Sequence, residues 1–180
     1  MNNVKTRNVI AAAMCTALCV VLPMAFHTIP NAGSILLPMH IPVLLCGFLC
    51  SWKLGLLCGV LGPVLSSALT GMPPAAILPS MACELAVYGL VTGALFPRVR
   101  TRSRAANIYI CLIAAMLCGR AVNGALNALI FQAGSYSMQA WLAASFTTAL
   151  PGIIVQLALI PALLLVLERA WAAAPASNRG

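Results

Sequence analysis

Leu95-Phe96-Pro97-Arg98-Val99-Arg100-Thr101-Arg102-Ser103-Arg104 decides how this chain is read. Four arginines crowd into the stretch, and a long apolar run lies on each side of it, at 77–96 and at 107–131. A helix needs roughly 20 apolar residues to cross the ~30 Å hydrocarbon core of a bilayer. Both runs are about that long, so the arginines mark a loop between two membrane crossings. Working outward, Lys5 and Arg7 precede the first apolar run, Lys53 sits in a tight break beside Trp52, and Arg169 and Arg179 follow the last run. Spans at 8–26, 41–51, 54–69, 77–96, 107–131 and 147–171 place all nine of these cations on one side. Arg169 lies at the very end of the last span, and only Arg120 falls deep within one. Lys and Arg gather in short cytoplasmic loops. The expected fold is therefore all-α: one membrane domain over residues 1–180, an integral bundle of six transmembrane helices with both termini cytoplasmic. The opposite face carries no cation and is the natural place to receive something from outside.

Composition agrees. Of 180 residues, 62% are hydrophobic and only 7% charged, against about 25% charged in a soluble domain. The net charge of +8 has a membrane explanation, since the excess cations sit at span boundaries and form no basic helix face. Nucleic acid is excluded as a partner on that ground. The lipid bilayer is the partner instead, and the flanking cations suit anionic headgroups. The eight cysteines all lie in apolar segments, form no CxxC and have no histidine spacing that completes a zinc site. They read as small hydrophobes, with no metal and no cofactor. Residues 1–26 have the basic start and apolar run of a signal peptide. The run is long for that role, and removing it would break the charge pattern, so it is read as a retained helix.

Two of the six spans are short. Pro38 and Pro42 crowd the start of the second, so ordered helix is expected only from Ile41. The third ends at Thr70-Gly71-Met72-Pro73-Pro74, a strong breaker. Irregular backbone at membrane depth persists only where it is buried or lines a cavity. Both proline-rich entries lie on the cation-free side, which is where a cavity is expected. Pro151 falls in the first turns of the sixth span and Pro161 within it, the latter a kink position.

Glu84 and Arg120 are the long charged side chains inside spans. A charge in hydrocarbon costs several kcal/mol and survives when it is paired, faces water or meets a ligand. Glu84 lies ~10 Å below the cation-free surface and Arg120 ~18 Å below it, at 1.5 Å per residue. They suit a structural ion pair, ligand contact, or proton coupling through Glu84. Asn123 and Asn127 continue Arg120's stripe at +3 and +7, and Gly124 thins the same region. Such a row suits a ligand with several hydrogen-bonding groups, and equally suits interhelical bonds. Tyr88, one turn from Glu84, stacks on a ligand or packs. Gln156 in the last span is a similar case. His40 stands at the cavity mouth as a cap or a ligand group, and His27 and Glu168 read as interfacial. Ser66, Ser67 and Thr70 satisfy loop backbone or reach the ligand. Enzyme signatures are absent: there is no P-loop, GxSxG, HExxH or pair of neighbouring acids. The chain is read as no enzyme.

Several stretches carry a resemblance. They are the basic N-terminus, the small-residue motif Ala13-xxx-Ala17, and Met39-His40-Ile41-Pro42-Val43-Leu44-Leu45-Cys46-Gly47-Phe48 followed by Gly55, Gly59, Gly62 and Pro63. Thr70-Gly71-Met72-Pro73 and Glu84-Leu85-Ala86-Val87-Tyr88-Gly89-Leu90 complete the set. The chain resembles the substrate-binding (S) components of energy-coupling factor transporters, and the likeness covers most of its length. The resemblance implies a subunit of the bacterial inner membrane that captures a vitamin or related micronutrient. It implies docking through Ala13 and Ala17 on a transmembrane coupling subunit that carries two ATP-binding subunits. It also implies a pocket near the outer side, with Glu84, Arg120, Asn123 and Asn127 within it; Tyr88 and His40 join these as candidate ligand contacts on the reading of the residues above. Aromatic residues near that pocket are few: Tyr88, Phe131, Tyr136 and Trp141. Arg120 suits a carboxylate such as that of pantothenate, and a neutral ligand fits better if Glu84 neutralises it. Two other readings stay open at this point. One is an autonomous carrier coupled to protons through Glu84; the other is an assembly protein with no ligand.

Overall fold

The computed structural model describes residues 2–26, 32–131 and 137–173, and the regular structure among them is helical throughout. His27, Tyr136 and Arg179 lie outside the described residues, as does the side chain of Glu168. In chain order the helices are α1 (Asn2–Ala25), α2 (Ala32–Leu36), α3 (His40–Leu49), α4 (Trp52–Thr70), α5 (Leu78–Leu95), α6 (Arg104–Leu126), α7 (Met138–Leu142) and α8 (Leu150–Ala173). A π-helical turn, Asn127–Phe131, extends α6, and a second, Ala143–Thr148, follows α7. Five helical segments are long and apolar enough to cross a membrane: Lys5–Ala25, Trp52–Thr70, Leu78–Leu95, Arg104–Phe131 and Leu150–Leu167. Gly33–Leu49 is a shorter apolar unit beside them. The protein is an all-α membrane bundle.

Local chemistry sets the boundaries. The Ser51 hydroxyl accepts a hydrogen bond from the Leu54 amide at 3.4 Å and so caps the start of α4. At its other end Gly71 adopts the left-handed conformation, φ 72°, and donates its amide to the Ser67 carbonyl. Pro79 lies at the start of α5, where its missing amide hydrogen has no partner to lose. Three boundaries differ from the sequence reading. α1 begins at Asn2 rather than near Asn8, because hydropathy locates the membrane-embedded part of a helix and not its polar first turns. The second span is broken: α2, then a turn with Leu37 at φ 51°, then α3. α3 alone is ten residues, ~15 Å, about half the hydrocarbon thickness. The stretch between the fifth and sixth spans, left without helix in the sequence reading, carries α7 and its π turn.

α4 and α5 form the tightest seam. A β-carbon at Gly59 would lie 2.4 Å from the Leu85 carbonyl oxygen, and one at Gly89 would lie 2.1 Å from that of Gly55. The two backbones touch, as small residues four apart permit in membrane helices. α1 packs on α4 with Cys19 against Gly62. Cys15, Cys19, Cys46, Cys58 and Cys111 are buried and unpaired, and they pack with Val43, Leu44, Leu85, Ile108 and Leu112 in the core. Outward faces are apolar too: Met14 and Val21, Leu57 and Leu61, Ile113 and Leu117, and Ile154 and Val166 are exposed. Apolar outward faces on these helices suit hydrocarbon as their solvent.

Candidate functional site

Alternation of the helices collects the described cations other than Arg120 at one end of the bundle: the start of α1, the α3–α4 junction, the α5–α6 turn and the end of α8. A cavity of about 670 Å³ opens at the other end. The end of α1, the α2–α3 turn, the α4–α5 connection, the first turns of α5, the last turns of α6 and the π turn after α7 enclose it. Among the described residues that line it, Arg120 is the only lysine or arginine. Prolines 23, 38, 73 and 74 shape the rim, and methionines 24, 39, 72 and 81 supply much of the apolar wall.

The polar wall is assembled from three helices. Tyr88, one turn below Glu84 on α5, donates its hydroxyl to Glu84 Oε1 at 2.8 Å. His40, the first residue of α3, brings Nε2 to 3.8 Å from the same oxygen. The His40 and Tyr88 rings meet edge to face with centroids 5.3 Å apart. Tyr88 has no exposed surface and does not line the cavity. It reaches its place because position 119 of α6 is glycine: a β-carbon there would fall 2.1 Å from the tyrosine ring. Glu84 is thus held from behind by a phenol and from the side by an imidazole. Among the described residues it forms no ion pair with Arg120.

Arg120 is anchored to the segment that follows α7. Its Nη1 donates to the Ser145 carbonyl, and its guanidinium lies 5.7 Å from the centroid of the Phe146 ring. The Arg120 backbone carbonyl accepts a hydrogen bond from the Trp141 indole at 3.1 Å, while that indole packs directly on Gly124. A larger residue at 124 would displace it. Asn127 donates its amide to Asn123 Oδ1 at 2.9 Å, and both line the cavity. Ser66 and Ser67 donate to the Met72 and Pro73 carbonyls at 2.7 and 2.8 Å, satisfying loop backbone. Thr70 bonds the Ser66 carbonyl at 2.7 Å and also lines the cavity.

His40, Glu84, Arg120, Asn123 and Asn127 therefore share one cavity wall, and Tyr88 stands behind it. Gln156 lies elsewhere, fully buried in α8, with neither amide atom partnered among the described residues. Phe131 is exposed and does not reach the cavity. Sequence reasoning did not find Gly119, Ser145 and Phe146. A carbonyl released by a π turn leaves no side-chain signal, and a glycine's partner across a helix interface cannot be read from one strand of text.

Residues 7–164 match the family model described as ECF transporter, substrate-specific component. The chain belongs to that family. No curated protein and no solved structure matches it. As an ECF substrate-specific component, the chain is a membrane-embedded substrate-binding subunit for micronutrient uptake, and its family works in transport rather than in catalysis.

Proposed function

We propose that this S component captures a vitamin-like micronutrient with high affinity in the cavity beside Arg120, on the outer side of a bacterial inner membrane. It then delivers the ligand through a transmembrane coupling subunit driven by two ATP-binding subunits. The observation that carries the reading is the cavity itself: 670 Å³, apolar at its rim, with a buried charged and carboxamide wall, at the end of the bundle away from the cations. Ligand sites of 300–1,000 Å³ with few convergent polar groups are typical of small-molecule binding. The cations favour the cytoplasm for the other end. Ala13 and Ala17 are both exposed on α1, and small residues four apart accept a partner helix at close range.

Glu84 supports a positioning role better than proton coupling, since Tyr88 and His40 already hold its carboxylate. Purified chain should bind one micronutrient saturably, while vesicles containing this chain alone take up none. Ala13→Trp should leave that binding unchanged and stop uptake by the full complex. Uptake by the chain without ATP-binding subunits, arrested by collapsing the proton gradient, would contradict the proposal in favour of a secondary carrier.

A further inference from the structure

Arg120 is 4% exposed, and its side chain makes one hydrogen bond among the described residues. That bond leaves from Nη1 toward the Ser145 carbonyl. Nε and Nη2, which share the side edge of the guanidinium, have no acceptor among the described residues and almost no accessible surface, so a ligand must displace a neighbour to reach them. This edge is the fork that grips both oxygens of a carboxylate with two parallel N–H···O bonds. A charged donor buried in an apolar surround without an acceptor is unfavourable. The residues nearby do not supply one: Glu84 Oε1 takes the Tyr88 hydroxyl and faces His40, and the Asn127 amide is turned to Asn123.

We infer that Arg120 receives the carboxylate of a monoanionic micronutrient with a largely aliphatic body. The inference deepens the uptake reading and rests on it. Charge limits the ligand to one negative group. Among the described residues Arg120 is the only lysine or arginine on the cavity wall and Glu84 lies on the same wall, so a dianionic phosphate would bring a second charge toward a carboxylate with no second guanidinium or ammonium among them to meet it. Shape limits the remainder. Four methionines, Ile77 and Leu37 supply much of the apolar wall, and among the described residues Phe26 is the only phenyl ring on it. Methionine adapts to irregular, branched shapes, whereas a broad flat ring system finds little to stack on here.

The test uses the full chain in lipid nanodiscs, with thermal melting and equilibrium binding against paired probes. The pairs are pantothenate with panthenol, biotin with biotinamide, and nicotinate with nicotinamide; thiamine, riboflavin and pyridoxal phosphate complete the panel. One acid should bind and its neutral partner should bind ~100-fold more weakly, as for loss of hydrogen bonds to a charged group. Arg120→Gln should weaken the acid by a similar factor and leave the neutral partner's weak binding where it was. Arg120→Lys, which keeps the charge without the fork, should lose about tenfold. Circular dichroism and gel filtration establish that the variants fold, and the wild-type comparison of acid with neutral partner stands without them. Tight binding of a neutral, cationic or dianionic probe would overturn the carboxylate inference and leave the uptake reading in place. So would an acid whose affinity survives Arg120→Gln. Binding of no probe would count against both.

Discussion

Along the α4–α5 seam, backbone meets backbone: Gly55 and Gly59 lie on Leu85 and Gly89 with no room for a methyl group. Some 30 residues further along the chain, α6 meets the α7 segment through a different kind of contact. There Arg120, Trp141, Ser145 and Phe146 bridge the gap, and two guanidinium nitrogens stay unpartnered. The first region gains from close packing and has nothing left to bond. The second leaves polar groups unsatisfied beside a cavity. In a membrane protein, where burying apolar surface against lipid-like neighbours contributes little, such packing holds the bundle. The unsatisfied nitrogens of Arg120, on a residue that lines the cavity, then mark where stability has been given up for binding.

Three substitutions break or sharpen the contrast, in decreasing order of effect. Gly59→Val forces α4 and α5 apart and should lower stability by ~3 kcal/mol or more, seen as loss of monodisperse protein in gel filtration and a lower melting temperature. A mild effect would mean that the seam is looser than its backbone contacts indicate. Tyr88→Phe removes one hydrogen bond to a buried carboxylate and should lower stability by about 1.5–3 kcal/mol in a denaturation titration. Its shape is preserved, so an unchanged midpoint would show that Glu84 does not depend on the phenol. Arg120→Met removes two unsatisfied donors and should raise the ligand-free stability by ~1 kcal/mol while abolishing high-affinity binding. A lower melting temperature without ligand would move Arg120 into the same structural class as the glycines.

The membrane-spanning architecture was legible because hydropathy and cation placement are one-dimensional signals. The Arg98–Arg104 cluster between two apolar runs and the Gly71-Met72-Pro73-Pro74 break both sit where the structure turns. The stripe of Arg120, Asn123 and Asn127 was legible for the same kind of reason: residues three and four apart share a helix face, and all three line the cavity. The remainder depended on pairing between distant elements. Leu37 at positive φ breaks a span that hydropathy reads as merely short. Trp141 read as one of the few aromatic residues near the pocket, and the space above Gly124 decides its position. Tyr88 read as a residue that stacks or packs. Gly119 admits it behind the wall, where it holds Glu84 rather than lining the cavity.

The most direct test of the account is an experimental structure of the chain with its micronutrient bound. The account predicts one ligand in the cavity at the cation-free end, an acidic group on the Nε–Nη2 edge of Arg120, and Tyr88 still bonded to Glu84 behind it. A ligand seated anywhere else in the bundle, or one in this cavity that leaves Arg120 untouched, would contradict it.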